Sequence, residues 1–386
     1  MRAVSVASLK AGDIVGRTVL DTSGRMLLRE GVELNEQFIS LLGRKGYKYL
    51  FLREPHDIFD VAPEEDLSPE LRSEAFQTMK GTFDSIQRDV GELKSTSAKD
   101  VEKAFGSSSI KALMGHKGPL GKVQKVMETV VNQMLDQNLL AGLTSIKGTD
   151  TFLYDHSIDV AVVAVMIGRM INLDIMRIKQ LAMGCMMHDI GMLFVKDVAN
   201  EEQRIRLHTK LGYELLKASD APDIMAPTVA YEHHEHQDGS GLPRGLRGSN
   251  AIERNRNLPP PIPTLIGEIA AVANYYDNLL SGVNRPALTP DQALAEVRRA
   301  QGNKLNKEIV TAFLRVTPVY PVGTEVVITS EECRGFTGVV AKVAVTQLDR
   351  PVIVLTRDSA GNSINPTQIE LAKVPKIHIQ ARPFTQ

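Results

Sequence analysis

The chain has 386 residues, 43% of them hydrophobic and 24% charged, with a formal net charge of −1. That length exceeds one ordinary core and implies two or three units. The near-neutral balance excludes a global field drawing the protein to a nucleic-acid polymer or an acidic membrane surface, and Cys185 and Cys333 alone provide no disulfide framework, which suits a reducing compartment.

Residues 1–60 alternate short β-like pieces with turns: "DIVGRTVL", the turn "DTSGR", then "MLLREG". A short helical pattern, "LNEQFISLLGRKG", and a strand-like "YKYLFL" complete what looks like a small N-terminal α+β module. The acidic, Pro-containing stretch after it reads as a linker. Ser68-Pro69-Glu70 opens a helical region that fills much of 61–145, because a capping side chain followed by Pro suits a first turn. Within it, residues 122–143 place apolar side chains at three- and four-residue steps, a face for core packing or for a homodimer seam.

From 146 to 317 the pattern is helical: 151–171, 174–190, 201–219, 221–236, 263–282, 290–300 and 306–316. Thr289-Pro290-Asp291-Gln292 has capping-box spacing. After Pro318, "TEVVIT", "TGVVAKVAV" and "PVIVLTR" are β-branched strands between turn residues, so 318–386 reads as a small β-rich module. The expected class is mainly α, an all-helical bundle with a small module at each end. The most apolar run, 160–168, is about half a membrane span, and the N-terminus shows no cleavable apolar segment; the cytoplasm is the expected compartment.

Nine histidines occur, and six of them lie between His156 and His236. In the helical region His156, the pair His188-Asp189, His208, the pair His233-His234 and Asp277 each interrupt an apolar stretch. A single buried histidine is more often a hydrogen-bonded core residue than a ligand. Five histidines and two aspartates spread over five helices are harder to satisfy that way, since an unpaired buried carboxylate is strongly unfavourable. A divalent cation removes the conflict. With no thiolate in the set, mixed imidazole and carboxylate ligation suits iron, manganese, nickel or zinc at an open catalytic site.

"MHDIG" (187–191) resembles the motif of the HD metal-dependent phosphohydrolases. With "HTKLGYELL" (208–216) and "HHEHQDGSGLPRGLRG" (233–248), the region from about 145 to 316 is similar to the HD-GYP family of bacterial cyclic di-GMP phosphodiesterases. The resemblance implies an HD-type helical bundle holding two divalent metal ions, iron or manganese before nickel or zinc. It assigns His156, His188, Asp189 and Asp277 to one metal and His208, His233 and His234 to the second, with Asp189 bridging and His188-Asp189 at the catalytic centre. Arg285 matches the family's Arg-Pro and is the first substrate-phosphate candidate. Arg244 and Arg247, with Arg254 and Arg256, form a basic stretch that adds to it. Glu235 and Asp238 read as orienting or turn residues, and His236 as a surface residue.

Four positions depart from the family pattern. Met192 stands where it has lysine, and Leu242 replaces the tyrosine of Gly-Tyr-Pro. The segment from Asp277 to Arg285 is about two residues longer than usual. Phe152 occupies a position where some members carry a carboxylate for a third metal, so two metals are expected. The implied activity is hydrolysis of cyclic di-GMP to pGpG, and onward to GMP, by water activated at the dinuclear site. The alternatives are a cyclic-dinucleotide-binding sensor, which Met192 and Leu242 favour, and an HD hydrolase of another nucleotide. The small terminal modules suit regulation or docking of a protein partner of the diguanylate-cyclase type.

Overall fold

A helix that is apolar on every side belongs at the centre of a core, and the run around 160–168 obeys this. In a computed structural model of the chain, residues 2–47, 49–53, 65–91, 105, 112, 114–115, 117–141, 151–218, 225–253, 261–281 and 286–383 are described. Arg254, Arg256 and Arg285 lie outside them. The first unit holds strands β1 (Arg2–Ser5), β2 (Ile14–Val15), β3 (Val19–Leu20), β4 (Met26–Leu28) and β5 (Tyr49–Arg53) with helix α1 (Glu36–Arg44). β5 lies between β1 and β2, antiparallel to both, and β3 pairs with β4 as a hairpin. The Asn35 side chain accepts from the Phe38 amide at 2.9 Å and starts α1.

Helices α2 (Pro69–Gly91), α3 (Pro119–Leu135), α4 (Phe152–Met170), α5 (Ile175–Met187), α6 (Glu201–Lys217), α7 (Met225–Glu232), α8 (Leu265–Ser281), α9 (Pro290–Ala300) and α10 (Lys307–Leu314) follow. Among the described residues the molecule is mainly α-helical. α4 is buried at every residue from Tyr154 to Gly168 and contacts α2, α3, α5, α8 and α10. Buried residues from Leu67 to Val316 make one continuous cluster, so the apolar faces of α2 and α3 pack into the same core as the later helices. No helix of the described residues is long and apolar enough to cross a membrane.

The last unit is a five-stranded antiparallel sheet of β6 (Glu325–Ile328), β7 (Thr337–Ala344), β8 (Gln347–Arg357), β9 (Ser363–Glu370) and β10 (Ile379–Ala381), ordered β10-β6-β7-β8-β9. The last two strands were not foreseen, since "SINPTQIE" contains Pro and polar residues; it forms an outer strand of the sheet, where a missing donor is tolerated.

The N-terminal unit is tied to α2. The Gly24 carbonyl at the β3–β4 turn accepts from Ser73 Oγ at 2.5 Å and Gln77 Nε2 at 3.1 Å. Arg17 pairs with Glu65 at 2.6 Å, and buried Arg72 of α2 pairs with buried Asp159 of α4 at 2.8 Å.

Asp66, at the foot of α2, is buried and accepts from the Ala141 amide at 2.7 Å. Burial pushes its carboxyl from 3.8 up to about 6, against the pull of the Ala141 amide and of Arg72. A carboxyl whose folded value is raised favours the fold most below its unfolded value, and that contribution is lost as pH rises through the folded one. Asp66→Asn keeps the acceptor and removes the charge. It is expected to raise stability by about 1–3 kcal/mol at neutral pH, scaled from about 1.4 kcal/mol per pKa unit. The gain should vanish below the ordinary carboxylate value, as checked by urea unfolding at acid and neutral pH.

Candidate metal centre

Five elements deliver the chemistry-bearing side chains to one place. α4 carries His156, α6 carries His208 and α8 carries Asp277. The sequence pattern ran a helix from 174 to 190, but α5 stops at Met187 and the chain enters a 3₁₀ turn at Ile190–Phe194. Gly191 is the local reason. A Cβ there would lie 2.0 Å from the His208 carbonyl oxygen and 2.8 Å from the Gly212 amide nitrogen, so only glycine lets this turn lie directly on α6. That close approach carries Asp189 to His208.

A second difference concerns His233 and His234, expected inside a helix over 221–236. α7 ends at Glu232 and both histidines occupy its last, non-helical turn, although the His233 amide still reaches the Val229 carbonyl at 3.1 Å. Buried Glu235 bends the chain away: its two carboxylate oxygens accept from the amides of Arg244 at 2.8 Å and Leu246 at 2.7 Å.

The ring-nitrogen hydrogen bonds fix the tautomers. His188 Nδ1 lies 2.6 Å from the Cys185 carbonyl, His208 Nδ1 2.9 Å from that of Arg204, and His233 Nδ1 3.1 Å from that of Val229. His156 Nδ1 lies 2.5 Å from Asp277 Oδ2. Carbonyl and carboxylate oxygens accept, so each Nδ1 donates and each Nε2 presents a lone pair. All four Nε2 atoms converge on Asp189. Oδ2 is 3.7 Å from His156 and 3.3 Å from His188; Oδ1 is 3.3 Å from His208 and 3.5 Å from His233.

Acceptors facing acceptors at that range repel unless a cation stands between them. His188 Nε2 is buried with no hydrogen-bond partner, and the Nε2 atoms of His208 and His233 face each other at 3.3 Å. Ligands bound at 2.0–2.2 Å to one ion are separated by roughly 3.0–3.5 Å, so the donor set fits divalent cations. Two groups, His156/His188/Asp189 and His208/His233/His234, each bring three ligand atoms within 4.8 Å of one another. Asp277 takes its place against the far nitrogen of His156.

Electrostatics agree with a centre that lacks positive charge. Burial opposes ionisation of Asp189, yet His188 beside it, with His233 and His208, holds its carboxyl well below the usual range. Burial lowers His188, but the neighbouring Asp189 carboxylate raises it on balance, the same negative charge that a bound cation would offset. Burial pushes His208, His233 and His234 down, His233 to about 4, so these three stay neutral and able to serve as ligands.

The basic stretch has other attachments. Arg244 is ion-paired with buried Glu232 and lies over the Tyr231 ring, and Arg247 donates to the Asp238 carbonyl at 3.1 Å. Asp238 accepts from the Ser240 amide as a turn residue, and His236 is half-buried against Ser240 Oγ rather than fully at the surface.

Beside the histidines opens a cavity of about 610 Å³, lined by Phe152, Met192, Arg204, Tyr275, Asn278 and Lys304 among others. Neither Arg244 nor Arg247 lines it. Arg204 and Lys304 escaped the sequence reading. Arg204 stands four residues before His208 and therefore on the same helix face, which was a usable signal; Lys304 comes from a loop distant in sequence, with no such signal. Phe152 stacks on His156 with ring centres 5.0 Å apart, an apolar cover on that side.

Residues 153–279 match the family model of the HD domain. The chain is similar to a cyclic di-GMP phosphodiesterase of Thermotoga maritima, 31% identical over 151 residues, 35% of this chain and 37% of that protein. It is 27% identical over 197 residues to a cyclic di-GMP phosphodiesterase of Pseudomonas aeruginosa, covering 48% of this chain and 44% of the relative. A cyclic di-GMP phosphodiesterase response regulator of Xanthomonas campestris is 33% identical over 166 residues, 40% of each chain. The chain thus spans less than half the length of each of these relatives.

Proposed function

We propose that this chain, an HD-domain protein over residues 153–279, is a metal-dependent phosphodiesterase that opens cyclic di-GMP to pGpG and carries it on to GMP. The observation that carries the reading is Asp189, whose two oxygens face two different histidine pairs. When bound there, a pair of divalent cations would bring the pKa of water toward neutrality and offset the charge on a phosphate. His156, His188 and Asp189, with Asp277 behind His156, would hold one ion; His208, His233 and His234 would hold the other. Iron or manganese is favoured, and nickel or zinc suits the same donors.

The protein's own part is orientation and dryness. Carbonyls of Cys185, Arg204 and Val229 fix three imidazoles so that no ring must turn when a ligand enters. Asp277 holds the fourth. Glu235, which lines the cavity, is itself held in place by charged-acceptor bonds from the Arg244 and Leu246 amides. The units over 1–60 and 318–386 are proposed as modules serving regulation or partner docking in the cytoplasm, while α2 and α3 of 61–145 share one core with 146–317, so the apolar face of 122–143 packs there and a homodimer would need another surface.

Met192 lines the cavity and brings no charge to it, which favours a second reading, a sensor that holds the dinucleotide without cleaving it. The deciding experiment is anaerobic purification, elemental analysis, and product analysis after incubation with cyclic di-GMP and manganese or iron. Formation of pGpG or GMP is expected. Retention of cyclic di-GMP with no turnover under any of those metals would remove the enzyme and leave the sensor.

A further inference from the structure

We propose that Arg204 and Lys304 form a clamp for the second phosphate of a cyclic dinucleotide whose first phosphate lies at the histidine–aspartate cluster; the inference rests on the reading above. A cavity of about 610 Å³ is within the size range of small-molecule sites, about 300–1,000 Å³. A cyclic dinucleotide carries two phosphodiester charges, and a cluster committed to one leaves the other needing a cation inside the same space.

The charges lining the cavity narrow the choice. Asp189, Glu201 and Glu235 are its acids, and Arg204 and Lys304 its bases, among the described residues. Both Glu235 oxygens are occupied by backbone amides, and Asp189 belongs to the histidines. Neighbouring arginines are paired: Arg206 with Glu202, Arg244 with Glu232, Arg299 with Glu296. Among the described residues no carboxylate lies within 4.0 Å of Arg204 or Lys304, even though Glu201 is one turn from Arg204 on α6. Two cations are held at a cavity wall with nothing of opposite sign attached.

Their positions are built rather than loose. Arg204 is half-buried one turn before His208, and its own carbonyl orients that histidine. Lys304 is exposed at the rim, but its backbone is fastened to the loop after the histidine pair. Its carbonyl accepts from the Gln237 amide at 3.1 Å, Asn303's from Asp238 at 2.8 Å and Gly302's from Asn250 Nδ2 at 2.9 Å. The ammonium lies 6.0 Å from the centre of the Tyr275 ring, which also lines the cavity. A planar guanidinium and a point-like ammonium together suit a phosphate whose oxygens point in several directions.

The test uses Arg204→Gln, Lys304→Gln and the double variant of the full chain. Calorimetry on metal-free protein should show cyclic di-GMP binding weakened about 10- to 100-fold per lost charged hydrogen bond. Lys304→Arg should restore most of it. With metal loaded, KM for cyclic di-GMP should rise by a similar factor, while bis(p-nitrophenyl) phosphate, which has one phosphate, should lose far less. Unchanged cyclic di-GMP binding in the double variant overturns the clamp. Equal losses on the two substrates, or a lower metal content, would also overturn it, by showing damage to the cluster instead. If wild-type protein turns over neither substrate, the phosphodiesterase reading fails by itself, and the binding measurement still decides the clamp.

Discussion

His188→Ala combined with Asp189→Ala is expected to abolish both turnover and tight metal retention while leaving a folded chain. The two side chains contribute the shared carboxylate and one of the four imidazoles facing it, so one group of three loses two of its ligand atoms and the other loses its neighbouring carboxylate. Losing an outer partner of a metal ligand typically costs about 10- to 100-fold in affinity or activity; losing the carboxylate proposed to serve both ions should exceed that. The measurement is metal content after dialysis beside product formation, with circular dichroism to verify the fold. Substantial activity in the double variant would count against the whole arrangement. Removing Asp189 also removes the charge that draws a proton to His188, so His188 in Asp189→Ala alone should titrate lower than in the parent chain, observable by NMR.

Gly191→Ala should be nearly as damaging, although it deletes no ligand. The added methyl would lie 2.0 Å from the His208 carbonyl oxygen and 2.8 Å from the Gly212 amide nitrogen, both backbone atoms that cannot swing aside. Either the 3₁₀ turn lifts off α6 or α6 shifts, and each movement separates Asp189 from His208. Overpacking of a tight core contact costs typically about 1–3 kcal/mol, and the metal group on the His208 side should weaken with it. Chemical denaturation and metal stoichiometry would detect the two effects separately. A variant with parental stability and full metal content would mean that this contact does not set the spacing.

The helical middle of the chain was legible because its apolar positions repeat at helical spacing, and α9 was placed to the residue by Thr289, Pro290 and Gln292, whose side chain accepts from the Thr289 amide at 3.2 Å. The histidines and aspartates were legible as a set because each breaks an apolar run. What the pattern could not supply was where helices stop near the cluster. Met187 and Glu232 end α5 and α7 for reasons distant in sequence: the contact of Gly191 with His208 and Gly212, and the grip of Glu235 on amides nine and eleven residues later. The arginines show the same limit. Arg244 looked available for phosphate, but buried Glu232 lies beside it in space. Arg204 was hidden in plain view on a helix face, and Lys304 became visible only once a remote loop was folded against the pocket.

Helix α2 has a consequence for how the two ends of the molecule communicate. On one side Ser73 and Gln77 grip the β3–β4 hairpin at Gly24; on the next residue back, Arg72 holds Asp159, one turn beyond His156 on α4. Splitting a buried charge pair typically costs about 3–5 kcal/mol, so this joint behaves as a bolt rather than a hinge. Any strain on the hairpin is therefore passed to α4 one turn from the first histidine, and if such strain changed the affinity of the histidine centre, occupancy of that centre would bias the hairpin by the same free energy.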